Sequence, residues 1–156
     1  MLTSTPAADA GFLLSRVSAA LRSGLARLLA RWQLRPLQYR ILGLLDSGAA
    51  LSQKELCEQL GIKHASLVGL VDGLEAMKYA SRNPDHSYHP RRYLVTISPL
   101  GRAVLNDATQ AVDEYTSEFL SPLTETEREQ LTTALGKLFG LVGSGDPAAG
   151  TTGAAG

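Results

Sequence analysis

The period of the apolar residues switches after Met77, and no other feature of the sequence constrains the fold as much. Before that point apolar residues recur every third or fourth position, as on one face of a helix. After it, "YASRN" and "RRYLVTIS" alternate or carry β-branched residues, as strands do. The segment between them, "PDHSYHP", is too long for a tight turn and reads as a hairpin loop. Upstream of the switch, Ser52 and Glu55 have the spacing of a capping box, in which each side chain satisfies a free backbone N–H at a helix start. The helix they open, "QKELCEQL", stops at Gly61, and "KHASLVGLVDGLEAMKYASR" starts a second one. A short helix, a glycine turn, a longer helix and a β-hairpin follow in direct succession.

Helical periods flank this block. Leu13, Leu14, Val17, Leu21, Leu25, Leu28, Leu29 and Trp32 predict a long first helix. Pro36 suits the first turn of a second, whose stripe is Leu37, Ile41 and Leu44/Leu45 and whose stop is Ser47-Gly48. Ser98-Pro99 opens another, with Val104, Leu105, Ala108, Ala111, Val112, Tyr115 and Phe119 inside and Pro122 at its end. Thr124 and Glu127 form a second capping box before Leu131, Leu135, Leu138 and Val142. From residue 143 on there is little to bury, so residues 143–156 are expected to be a flexible tail. The fold class is mainly α with a small β-hairpin: a winged helix-turn-helix over about residues 36–101, between long terminal helices, in one domain over 1–142. In such a lobe the second helix enters the major groove and the hairpin loop reaches the neighbouring backbone or minor groove.

Composition narrows the function classes. The chain has 156 residues, 44% apolar and 19% charged, which suits a globular domain. A single cysteine excludes a disulfide framework within the chain. No apolar run reaches the roughly 18 residues that a membrane span needs, and the N-terminus lacks a secretion leader. The expectation is a cytoplasmic protein with no membrane contact. The net charge of zero hides an uneven distribution. Residues 1–35 carry +4, residues 36–101 carry +1 and residues 102–156 carry −5. The two ends are therefore expected to pack near each other, within one chain or across a dimer.

The stretch "LQYRILGLLDSGAALSQKELCEQLGIKHASLVGLVDGLEAMKYASR", followed by "RRYLVTISPLGRAVL", resembles the MarR family of bacterial transcriptional regulators. The resemblance is close over roughly residues 34–105 and is one of pattern in the flanking helices. It implies a homodimer joined by terminal helices, about residues 10–35 and 99–142. It also implies two winged lobes on the halves of a palindromic double-stranded DNA operator. The function implied is that of a repressor released by a small aromatic or anionic effector held between the dimer base and the DNA lobe. Two departures stand out. The family usually carries arginines near the positions of His64, Gly69 and Gly73, and an Asp-Arg-Arg run in the wing, where this chain reads "DHSYHPRRY". Phosphate neutralisation supplies most non-specific affinity, so a lobe of net +1 predicts weak DNA binding.

The candidate DNA-binding residues are Lys54, Lys63, His64, Ser66, Arg82, Arg91 and Arg92. Each has a plain alternative as solvated surface. Candidate ligand-binding residues are Arg16, Trp32, Tyr39 and Arg40, where an aromatic plus an arginine suits an anionic aromatic ligand. Core packing is the alternative for Trp32 and Tyr39. Gly69 and Gly73 weaken a helix, and read either as sites of close approach by a backbone or ligand or as drift after arginine was lost. Cys57 reads as packing, with redox sensing the lesser alternative. His86 and His89 with Asp85 make a poor metal site, and no metal or cofactor is expected. His64, His86, His89, Asp85 and Tyr88 include chemically able groups but no catalytic motif, so an enzyme is not the expectation. The alternative function is a MarR-fold protein that has lost operator binding and uses its interhelical pocket for a ligand or for chemistry.

Overall fold

Thr5 opens the first helix of the computed structural model, its hydroxyl accepting the Ala8 N–H (3.3 Å) with Pro6 in the first turn. The structure describes residues 5–87 and 92–142. The expected tail and Tyr88, His89, Pro90 and Arg91 lie outside the described residues.

Helix α1 (Pro6–Leu29) runs into a 3-10 turn, Ala30–Trp32, which Gln33 closes in the left-handed region at φ 58°. Helix α2 is Pro36–Asp46, with Pro36 at its first position as expected. A short strand β1 (Leu51–Ser52) precedes α3 (Gln53–Leu60). The Ser52–Glu55 capping box is formed, and Gly61 ends α3 in the left-handed conformation at φ 64°. Helix α4 (His64–Ala76) follows that turn. Strands β2 (Ala80–Pro84) and β3 (Tyr93–Ile97) pair antiparallel with Ala80 opposite Ile97 and Pro84 opposite Tyr93. Helices α5 (Pro99–Phe119) and α6 (Glu125–Val142) complete the chain, and Thr124 and Glu127 form the second box.

The fold is thus the expected mainly helical one, with one correction. The hairpin is part of a three-stranded sheet of order β1-β3-β2. Strand β1 has only Leu51 and Ser52, opposite Val95 and Leu94, and two residues carry no readable alternation.

The core lies where the lobe's elements meet. Ile41, Leu42 and Leu45 of α2, Leu56 of α3, Leu67, Val71 and Leu74 of α4 and Val95 of β3 are fully or almost fully buried. Each contributes about 1.5–3 kcal/mol by leaving water. Leu105 and Ala108 join them from α5, and Leu29 from the end of α1. The junction between sheet and α5 is tight. The Ser98 hydroxyl donates to Lys78 O (2.7 Å) and accepts the Gly101 N–H (2.9 Å). A Cβ on Gly101 would sit 2.0 Å from Tyr79 O, so only glycine fits.

The terminal helices differ. Every residue of α1 from Pro6 to Ala20 is exposed, as is every residue of α6 from Glu129 to Gly140. Phe12 is 65% exposed, Leu13 58% and Phe139 54%. Within one chain, therefore, the basic start of α1 and the acidic α6 do not cover each other's apolar residues.

Candidate nucleic-acid interface

Lys63 is the N-cap of α4, with extended backbone and no capping side chain. Lys63, His64 and Ser66 are all exposed on its first turn. Lys54, on the first turn of α3, is exposed too and pairs with Glu58 (3.9 Å). His64 and Lys54 line one open groove of about 650 Å³ together with Glu55, Glu58, Arg92 and Tyr93. Four of the expected DNA contacts, Lys54, Lys63, His64 and Arg92, thus gather around the start of α4 and the base of the hairpin, with Ser66 one step further along the helix.

Arg82 stands apart from them. Its guanidinium pairs with Asp72 (2.7 Å) and Glu75 and donates to Val68 O (3.3 Å). Its own N–H donates to Glu75 (2.7 Å). Three contacts to α4 and a largely buried side chain make Arg82 a stitch between β2 and α4. The sequence offered no hint of this, because Arg82 meets Asp72 and Glu75 only across the turn after α4. Arg92 is also engaged, with Glu55 (3.5 Å) and Asp85 (3.6 Å). Arg91 lies outside the described residues.

The Glu55 carboxylate is held below the usual glutamate range. The Ser52 hydroxyl donates to it (2.6 Å), then the Ser52 N–H (2.8 Å), and Arg92 adds its charge. The Cys57 thiol is pushed up, first by burial and then by the neighbouring charge of Glu58. A thiol held protonated is a poor nucleophile, which counts against redox sensing. His86 is exposed, and among the described residues no cluster of His, Cys, Asp and Glu could hold a metal ion.

The two glycines of α4 are unlike. A Cβ on Gly69 would meet nothing within 4 Å. One on Gly73 would lie 2.5 Å from Gln38 Nε2. Gln38 is buried, donates to Leu70 O (3.1 Å) and accepts the Arg35 N–H (3.0 Å). Gly73 makes room for a side chain of α2. Gln38 is the polar residue the sequence reading missed, and its only signal was its place at the third position of a helix.

The candidate ligand residues do not converge within one chain. Helical rise separates Arg16 from Trp32 by roughly 24 Å. Tyr39 donates to Thr109 Oγ1 (3.2 Å), whose own hydroxyl proton goes to Leu105 O (2.8 Å). Trp32 gives its carbonyl to the Tyr79 hydroxyl (3.2 Å) and its ring face to Arg31, 5.2 Å away. Arg40 is exposed on α2.

The sequence pattern of the MarR family matches residues 32–87. A crystal structure of a "probable transcriptional regulator" from Pseudomonas aeruginosa is 30% identical, covers 82% of this chain and 95% of its own, and superposes with a TM-score of 0.72. The chain belongs to the MarR family. A MarR-family transcriptional regulator from a Rhodococcus species is 26% identical, over 87% of this chain and 96% of its own, with a TM-score of 0.78. CouR from Rhodococcus jostii, solved with p-coumaroyl-CoA, is 26% identical over 87% and 95% of the two chains, with a TM-score of 0.77. CouR has also been solved on a 23-mer DNA duplex. No curated protein matches the sequence. This MarR-family protein is a winged-helix transcriptional regulator, and among its described residues no helix is long and apolar enough to cross a membrane.

Proposed function

We propose that this MarR-family regulator acts as a homodimer. Each protomer places the first turn of α4 in the major groove of one half of a palindromic operator, and a small aromatic or anionic ligand releases it as a repressor. The observation that carries the DNA reading is the exposed set Lys63, His64 and Ser66 at the start of α4, beside Lys54 and the hairpin base. CouR, which shares the fold, binds DNA and an aromatic acyl-CoA, and this supports both halves of the reading. The bare apolar faces of α1 and α6 support the dimer, since such surfaces mark protein contacts.

A second reading is favoured by a specific observation. The outward stripe of α4 is Ala65, Gly69, Asp72 and Ala76, all exposed, and it carries no cation. Arg82 and Arg92 already hold carboxylates. A fold that has given up its operator and kept a ligand would look like this. A gel-shift with the DNA upstream of the protein's own reading frame, at several salt concentrations, separates the two. Operator binding predicts a specific complex whose affinity falls steeply with salt. Binding no tighter than that to random DNA of equal length selects the second reading.

A further inference from the structure

We propose that Arg92 is a positioning residue: it latches the base of the wing to the cap of α3 through Glu55 and Asp85, and so sets the distance between wing and recognition helix. This rests on the DNA-binding reading for its consequence but not for its existence.

Register explains the meeting. Strand β3 pairs with β1 so that Leu94 faces Ser52, the N-cap of α3. Arg92 lies two residues before Leu94 and thus overhangs the first turn of α3. There the Glu55 carboxylate is already fixed by the Ser52 hydroxyl and N–H, so it loses little freedom by accepting Arg92. From the other side Asp85, buried, faces Arg92 Nε with one oxygen and accepts the Ser87 N–H (3.0 Å) with the other. The Asp85 N–H also donates to Arg92 O (2.7 Å), closing the hairpin base at backbone level. One guanidinium thus joins an element carrying the wing to the helix behind the recognition turn. A phosphate would have to compete with two carboxylates for it, one of them buried. That assigns Arg92 to geometry rather than to a backbone contact.

The test has two arms. Without DNA, amide exchange at Asp85 is compared in wild type, Glu55→Gln, Arg92→Gln and the double variant. Gln at 55 keeps the capping box and removes the charge. Exchange is expected to quicken by about 5-fold in Arg92→Gln and by less in Glu55→Gln, which leaves the Asp85 pair, and the double variant is expected to match Arg92→Gln alone. Additive effects in the double variant overturn the proposal. With DNA, a fluorescein-labelled duplex of the upstream sequence is titrated at several salt concentrations. Arg92→Gln is expected to weaken binding by about 5-fold with an unchanged salt slope, whereas Lys63→Gln lowers the slope by about one. Loss of about one unit of slope in Arg92→Gln makes it a phosphate contact and also overturns the latch. If wild type does not bind the duplex specifically, the operator reading fails, and the exchange cycle alone decides on the latch.

Discussion

The winged lobe and the terminal helices follow opposite rules of burial. In the lobe, apolar side chains of α2, α3, α4 and β3 converge until Ile41, Leu42, Leu56, Leu67, Val71, Leu74 and Val95 are wholly buried. In α1 and α6 the periodic apolar residues are just as regular in sequence, yet Phe12, Leu13, Val17, Leu138 and Phe139 stand in solvent. Periodicity reports that a face will be covered; it does not report by what. A lobe that covers itself can be rigid alone, whereas the arms leave apolar faces bare that the proposed dimer would cover.

The comparison breaks most visibly at α6. Leu135→Asp with Leu138→Asp removes leucines that a two-fold partner would bury, four side chains in all. At about 1.5 kcal/mol each, the loss to a dimer is roughly 6 kcal/mol. Analytical ultracentrifugation is expected to show monomers, with the thermal transition of the lobe retained. A dimer that survives both substitutions places the interface elsewhere. The lobe is attacked next through Gly101→Ala, which drives a methyl into the Tyr79 carbonyl. Overpacking against backbone is expected to destabilise by about 3 kcal/mol, read as a shift in the denaturant midpoint.

Much of this was legible before the structure. Capping boxes at Ser52 and Thr124, the Gly61 stop and the period switch after Met77 are local signals, set by backbone chemistry within a turn, and each marks an element boundary. What stayed hidden depends on which residues meet across turns. The ion pairs of Arg82 with Asp72 and Glu75, the latch of Arg92 on Glu55 and Asp85, and the Gln38 bond to Leu70 O all join separate elements. Single positions give no sign of such pairings. The candidate site was therefore legible at the start of α4, where exposure follows from helix position. It was not legible for the arginines, whose roles are decided by the carboxylates they meet.

Gly69 and Gly73 sharpen the contrast inside a single helix. Alanine at Gly69 enters open space and relieves the entropy of a mid-helix glycine, so it should stabilise by about 0.5–1 kcal/mol. At Gly73 the same gain is outweighed by displacing Gln38 from Leu70 O, which leaves a buried amide unsatisfied. A net loss of about 1 kcal/mol is expected. Urea melts of the two variants should move in opposite directions. Movement together would mean that Gln38 readjusts freely and that Gly73 serves no packing role. Gly69→Arg adds a cation to an uncrowded face, and it should raise affinity for duplex DNA and steepen the salt dependence by about one.

The smallest effect compares one motif in both regions. Glu55 in the lobe and Glu127 in α6 close the same kind of box, and both carboxylates are held below the usual glutamate range. For Glu55 the largest cause is the Ser52 hydroxyl, and for Glu127 it is the Thr124 N–H. A depressed carboxylate stabilises the fold above the unfolded value, about pH 4.3, and that contribution is lost as pH falls through the folded pKa. Glu55→Gln should therefore lower the melting temperature of the lobe at pH 7, and the deficit should shrink as pH falls from about 4.3 and vanish only below the depressed folded pKa. Solvent reaches Glu55, so the deficit is small, but its pH profile is distinctive. Glu127→Gln should leave that transition unmoved at every pH, because α6 adds nothing to the lobe's core. Equal profiles for the two variants would mean that lobe and arm melt as one unit, and the division between a self-sufficient lobe and an arm awaiting its partner would fall.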